Sequence, residues 1–147
     1  MRRIALLLVG VVAVALPTAA SATPPAPITI TVIADFGGPV PQGTFTATAP
    51  LCPSGTFVTE PIAGGGGLVA SGFTGFQHFS CDNASGTFTI QFHPQVHPPD
   101  FTDHGPWEAR GGTGAYDDLR GSGDFMLIGF ISPTTAVATF TGEVHLD

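Results

Sequence analysis

The chain contains no lysine, and basic residues of any kind are scarce. Four arginines stand against eleven acidic residues in a chain of 147, so the formal net charge is −7. Proteins that bind nucleic acid need a basic surface, and this composition excludes one. The absence of lysine also excludes a Walker A lysine, a Schiff-base lysine and a lysine general base. The length is that of one domain.

The first 22 residues have the pattern of a secretory signal peptide. An arginine pair precedes an apolar run that ends at Pro17, and Ala20-Ser21-Ala22 forms a small-residue cleavage site. The alternative is a transmembrane anchor, but a span needs about 20 apolar residues and this run is shorter. We therefore expect residues 1–22 to be removed and residues 23–147 to form a single secreted domain with no membrane attachment.

Only two cysteines occur, Cys52 and Cys81. Outside the cytoplasm, an even pair predicts a disulfide. The alternative, a redox or metal pair, lacks the usual C-x-x-C spacing. We therefore predict a disulfide and an extracytoplasmic location.

Alternation with a period of two dominates the chain after the leader. From Ile28 to Phe36, apolar and polar side chains point to opposite faces in turn. Pro and Gly interrupt every stretch that resembles a helix. Short antiparallel strands joined by tight turns indicate a small closed barrel or a sandwich. We predict eight strands, near residues 28–36, 43–49, 56–63, 68–76, 86–93, 107–111, 122–131 and 135–145.

One predicted strand, from Phe125 to Ile131, is apolar on both faces. A strand of this kind is covered on both sides. One face would fill the interior, and the other needs a cover. The cover is either a loop of the same chain or a second copy, which would make the protein a homo-oligomer.

The most distinctive segment follows Trp107 and reads Gly111-Gly112-Thr113-Gly114-Ala115-Tyr116-Asp117-Asp118-Leu119-Arg120-Gly121-Ser122-Gly123. It resembles the signature of the allene oxide cyclase and dirigent barrel group, a Gly-Gly-Thr-Gly-x-aromatic turn followed by a small Gly-rich step. The resemblance is close over about residues 107–131 and looser elsewhere. It implies an all-β fold, a small antiparallel eight-stranded β-barrel. The leader and composition are most similar to the secreted bacterial branch of the group.

The resemblance implies less about chemistry than about fold. The plant enzymes of the group bind an apolar epoxide in the barrel through catalytic residues outside this signature, and none of those matches a residue here. Dirigent proteins bind phenolic radicals and steer their coupling without oxidising them. Physically, the motif predicts a structural corner in which Tyr116 and Leu119 fold back as apolar plugs and Arg120 pairs with Asp117 or Asp124. Its glycines allow close backbone approach and positive φ: Gly111, Gly112, Gly114, Gly121 and Gly123.

Four aromatic residues are candidates to line a ligand pocket inside the barrel: Phe88, Phe92, Trp107 and Tyr116. Small barrels are either filled by side chains or hollow, and inward-facing aromatic residues suit both cases. The alternative role is therefore an ordinary core.

The densest group of potential metal ligands is His93, His97, Asp100, Asp103 and His104. Zinc accepts such nitrogen and oxygen ligands. Prolines at positions 94, 98 and 99 exclude a helix that would stack the first two histidines on one face. The alternative is a solvated polar loop at the mouth of the barrel, where it would act as a lid.

The leading prediction is a non-catalytic binding or structural module that holds a small apolar or aromatic ligand, with no cofactor and no nucleic acid partner. One alternative is a cyclase or isomerase acting on an apolar substrate in the barrel. That activity needs an ionisable group in an apolar cavity, and the candidate suppliers are Glu60, Glu108 and His93. The other alternative is a metal-binding surface protein that uses the segment from His93 to His104.

Overall fold

The computed structural model describes residues 24–61, 74–97 and 102–146, and every regular element in these ranges is a β-strand. The predicted signal peptide lies outside the described residues. The strands are β1 (Ala26–Asp35), β2 (Gln42–Ala47), β3 (Ser54–Pro61), β4 (Gly75–Cys81), β5 (Gly86–Phe92), β6 (Gln95–His97), β7 (Thr102–Gly114), β8 (Arg120–Ser132) and β9 (Thr135–His145).

The strands form a closed, antiparallel, eight-stranded barrel, so the predicted fold class is confirmed. Each strand pairs with the next along the wall, and β9 closes the barrel by pairing with β1 from Ala26↔Val144 to Asp35↔Thr135. The remaining strand, β6, does not occupy a separate position in the barrel wall. Both β5 and β6 pair with β7, one after the other, and together they occupy one position in the wall.

The interior is filled by aromatic rings, and many of them lie opposite glycines. Phe45 faces Gly55 and Trp107 faces Gly123 on the neighbouring strand, and a Cβ atom on Gly55 would lie 2.6 Å from the Phe45 ring. Because glycine has no side chain, it leaves room for the ring across the strand pair. The same complementarity holds for Phe57 with Gly43, Phe88 with Gly112, Phe92 with Gly75 and Phe125 with Gly105.

The segment that carries the family resemblance spans two strands and the turn between them. Gly111 and Gly114, with φ of 78° and 64°, lie in β7, the turn covers residues 115–118, and Gly121 begins the small-residue step in β8. Tyr116 and Leu119 fold back and are buried. The guanidinium of the next residue, Arg120, donates to the Leu119 carbonyl oxygen at 2.9 Å, and this bond replaces the expected pairing with an aspartate.

Two strands differ from the sequence-based expectation. The predicted strand 68–76 lies largely outside the described residues, and β4 begins at Gly75 and continues to Cys81. The strand predicted at 107–111 extends over Thr102–Gly114. Its first residues pair with β6, in a stretch for which no strand was predicted.

The strand that is apolar on both faces keeps one face exposed. Phe125 is buried, whereas Met126 and Ile128 on the outer face are 50 and 59% exposed. After a shift in register, Phe130 lies opposite buried Ala136 at the end of the barrel and is 63% exposed. The described part of the chain therefore does not supply the expected cover. A covering second copy stays a prediction.

A disulfide joins Cys52 to Cys81, with 5.9 Å between their Cα atoms, as predicted. It ties the β2–β3 connection to the end of β4. No free cysteine occurs among the described residues.

Removal of this disulfide is expected to lower stability without changing the fold. The two cysteines are 29 residues apart, and closing a loop of that length stabilises by roughly 3–4 kcal/mol in the chain-entropy model. A Cys52→Ala/Cys81→Ala variant should therefore denature at a lower urea concentration than the oxidised protein. The reduced wild-type protein is the control. Equal midpoints for oxidised and reduced protein would contradict this expectation.

Candidate functional site

The two ends of the barrel differ in how they are covered. At one end, which we call the Tyr116 end, Leu51, Tyr116 and Leu119 are buried. The Tyr116 hydroxyl lies 3.2 Å from the Ser85 Oγ atom, and its ring packs edge-on against Phe88 with centroids 5.5 Å apart. Apolar side chains and the β7–β8 turn thus close this end.

At the opposite end, which we call the Phe36 end, apolar side chains are exposed. The partly buried ring of Phe36 lies 6.2 Å from that of Phe130, which is 63% exposed. The exposed large apolar residues of the described chain all lie in the half of the barrel nearer this end: Ile33, Val58, Met126, Ile128, Phe130 and Ile131.

The four aromatic residues predicted to line a pocket are all buried in the barrel interior, and other rings lie between them. Phe88 stacks on Phe79 at 4.6 Å. Phe92 and Trp107 both contact the ring of Phe140, at 5.8 and 6.4 Å. The Trp107 indole N–H donates to the Thr141 carbonyl oxygen at 3.0 Å. These residues form the aromatic core, and their role toward a ligand stays a prediction.

Sequence reasoning missed two polar residues that face the same interior. Thr59 on β3 and Gln77 on β4 lie directly opposite each other and are 4% and 5% exposed. They are the buried polar side chains of the described residues. The alternation of the strands indicates that both residues point inward, because Thr59 is two residues from buried Phe57 and Gln77 is two residues from buried Phe79.

The side-chain oxygen atoms of this pair lack partners. Within the described ranges, neither the Thr59 Oγ1 atom nor the Gln77 Oε1 atom has a hydrogen-bond partner. A buried polar group in this state costs about 1–3 kcal/mol. Most such groups in native proteins have a partner. The pair therefore supplies buried polar atoms that no described residue satisfies.

The described members of the predicted metal site, His93, Asp103 and His104, lie toward the Phe36 end. His93 lies 2.8 Å from the Thr74 hydroxyl through its Nδ1 atom, and His104 lies on β7 in register with Gln95 on β6. The side chain of His97 and the whole of Asp100 lie outside what is described. Among the side chains that are described, no three His, Cys, Asp or Glu residues, Asp103 included, are placed to hold a metal ion. Metal binding stays a prediction.

The ionisable residues considered for a cyclase do not face the interior. Glu60 points outward and contacts His78 at 3.1 Å, and Glu108 points outward and pairs with Arg110 at 2.8 Å. Like His93, every Asp and Glu residue that the structure describes is partly or fully exposed.

An open groove of about 300 Å³ lies on the outer wall between β7 and β8, lined by Glu108, Ala109, Arg110 and Arg120. The Arg110 guanidinium donates to the Gln91 side-chain oxygen as well as to Glu108. Glu108 therefore offsets one of the two arginine charges in this groove.

Comparisons with models of protein families, with curated proteins and with solved structures found no match. In the described ranges, the structure contains no helix long and apolar enough to cross a membrane.

Proposed function

We propose that this protein is a secreted, non-catalytic binding module that takes up a small, mainly apolar ligand at the Phe36 end of its barrel. The observation that carries the proposal is the one-sided distribution of exposed apolar side chains. Phe130, which lies beside Phe36, is 63% exposed and the next residue, Ile131, is 66% exposed, whereas the Tyr116 end is closed. Clusters of exposed apolar residues mark binding sites.

The polar pair buried toward the Phe36 end, Thr59 and Gln77, supports binding without catalysis, because both side chains are neutral. The phenol of buried Tyr116 lies at the closed end, beside Ser85. Proton transfer to or from a substrate needs a titratable group within hydrogen-bond distance. A threonine hydroxyl and a glutamine amide do not titrate in the physiological range, so they bind and orient.

Secretion and the relationship to the allene oxide cyclase and dirigent group are part of the same proposal. The leader pattern of residues 1–22 and the motif at residues 111–123 support them. The Cys52–Cys81 disulfide suits a protein that matures outside the cytoplasm. The outer apolar face around Met126 and Ile128 also supports a homo-oligomer.

Native mass spectrometry of the protein exported by a bacterial host tests these points together. We expect a mass that corresponds to cleavage after Ala22, the loss of two hydrogens through the disulfide, and retention of a small molecule. The same spectrum reports the number of subunits. An uncleaved chain would contradict secretion, and a single subunit would contradict the homo-oligomer.

Phe130→Ala tests where the ligand binds. We expect it to weaken binding of the neutral apolar dye Nile red about tenfold, because truncation removes most of an exposed ring from the Phe36 end. Thr113→Ala, an exposed change near the Tyr116 end, is the matched control and should bind like the wild type. Equal binding by all three proteins, or no binding by the wild type, would contradict the proposal. Fluorescence titration measures the affinities.

A further inference from the structure

We infer that Thr59 and Gln77 form a polar subsite for the hydroxyl group of a neutral, mainly apolar ligand. The inference rests on the proposed function and adds the chemistry of the ligand. The two residues face each other across β3 and β4, and both are more than nine-tenths buried. Each carries a side-chain oxygen atom without a partner in the described ranges.

The two unpartnered oxygen atoms differ in whether they donate or accept hydrogen bonds. The Gln77 Oε1 atom accepts hydrogen bonds only, whereas the Thr59 hydroxyl both donates and accepts. A ligand hydroxyl satisfies both at once, because it donates its proton to Oε1 and accepts the Thr59 proton on its oxygen. A ligand group that only accepts would leave Oε1 without a partner.

The surroundings of the pair require a neutral ligand. The same face carries Phe57 beside Thr59 and Phe79 beside Gln77, and Ile90 lies opposite Gln77 on β5. Both arginines after the leader, Arg110 and Arg120, are exposed on the outer wall. A carboxylate at the subsite would lose its hydration without a cation to pair with, which is strongly unfavourable.

The position of the pair along the barrel also requires a ligand with an apolar body. Thr59 and Gln77 lie one inward position nearer the Phe36 end than the rings of Phe57 and Phe79. A molecule with its hydroxyl at the pair therefore abuts the aromatic core on one side. Its remaining part extends toward the Phe36 end, where the ring of Phe130 is exposed.

A series of eight-carbon probes tests this assignment on the wild-type protein. Octan-1-ol, octanoate and n-octane share a chain length and differ at one end. We expect octan-1-ol to bind at least about tenfold more tightly than either of the others, the effect of one satisfied buried hydrogen-bond pair. Fluorescence of Trp107, the only tryptophan, reports the titration from inside the barrel.

Two substitutions test the residues. Thr59→Val and Gln77→Leu should each weaken octan-1-ol binding about tenfold and leave n-octane binding unchanged. In the absence of ligand, Thr59→Val should raise the melting temperature, because it replaces an unpartnered buried hydroxyl with a methyl group. Thr56→Val, an exposed change on the outer face of β3, is the control and should alter neither property.

The outcomes separate this inference from the proposed function. Equal affinity for octan-1-ol and n-octane, unaffected by either substitution, would overturn the polar subsite and leave an apolar binding module. Binding of octanoate as tight as that of octan-1-ol would overturn the requirement for a neutral ligand. Failure of all three probes and of Nile red would overturn the inference together with the proposed function.

Discussion

Phe140→Ala should destabilise the protein by about 3–5 kcal/mol, the range for truncation of a fully buried phenylalanine. The ring of Phe140 is completely buried and contacts four other aromatic rings, those of Phe79, Phe92, Trp107 and Phe125. The closed barrel resists collapse around the resulting cavity, since its strands are fixed on both sides by hydrogen bonds. A loss of this size is a large part of the 5–15 kcal/mol that stabilises most domains.

Urea denaturation of the wild type and the variant measures this effect. Phe130→Ala is the matched control, because it removes the same atoms from a ring that is 63% exposed. It should change the free energy of unfolding by only about 0.5 kcal/mol. If the two substitutions cost the same, the interior is not packed as the structure describes.

Gly142→Val should be at least as damaging, by about 3 kcal/mol or more, through overpacking. A Cβ atom at position 142 would lie 2.7 Å from the Gly123 Cα atom and 2.8 Å from the Trp107 Cζ2 atom, and it would also collide with the Ser122 carbonyl oxygen. Two of these contacts are with backbone, which cannot rotate away. The variant should lose the Trp107 hydrogen bond to Thr141 and accumulate in inclusion bodies on expression.

Gly38→Ala is the control for Gly142→Val. At position 38, the nearest atom to an added Cβ is the Val40 carbonyl oxygen, at the ordinary distance of 3.7 Å. The control variant should therefore fold with an unchanged tryptophan emission spectrum. A Gly142→Val protein with wild-type solubility and emission would show that the Trp107 ring does not depend on the glycine beneath it.

The strands that alternation predicted well are those whose inward and outward residues differ in polarity. The predicted bounds of β9, 135–145, match the observed Thr135–His145, and β1 and β5 agree within two residues. The predicted strand falls furthest short of the observed length at β7, which contains Gly105, Pro106, Gly111 and Gly112. Glycine and proline normally indicate turns. Here Gly105 and Gly112 instead lie opposite Phe125 and Phe88, a tertiary fit that a local pattern does not contain.

The site was harder to predict than the fold for a related reason. Hydrophobicity identified Phe88, Phe92, Trp107 and Tyr116 as interior residues, and all four are buried. By the same criterion, a threonine or a glutamine is assigned to the surface. Only the pairing of β3 with β4 shows that two such residues meet inside the barrel.

The seam between β1 and β9 has a mechanical consequence. Its ten residue pairs run from Ala26↔Val144 to Asp35↔Thr135, so the N-terminal end of one strand lies beside the C-terminal end of the other. A force applied to Ala26 and His145 loads these pairs one at a time from the same end, as in unzipping, instead of shearing all of them together. The barrel should therefore open along this seam at low force, and the wall made by β3, β4 and β5 should yield last.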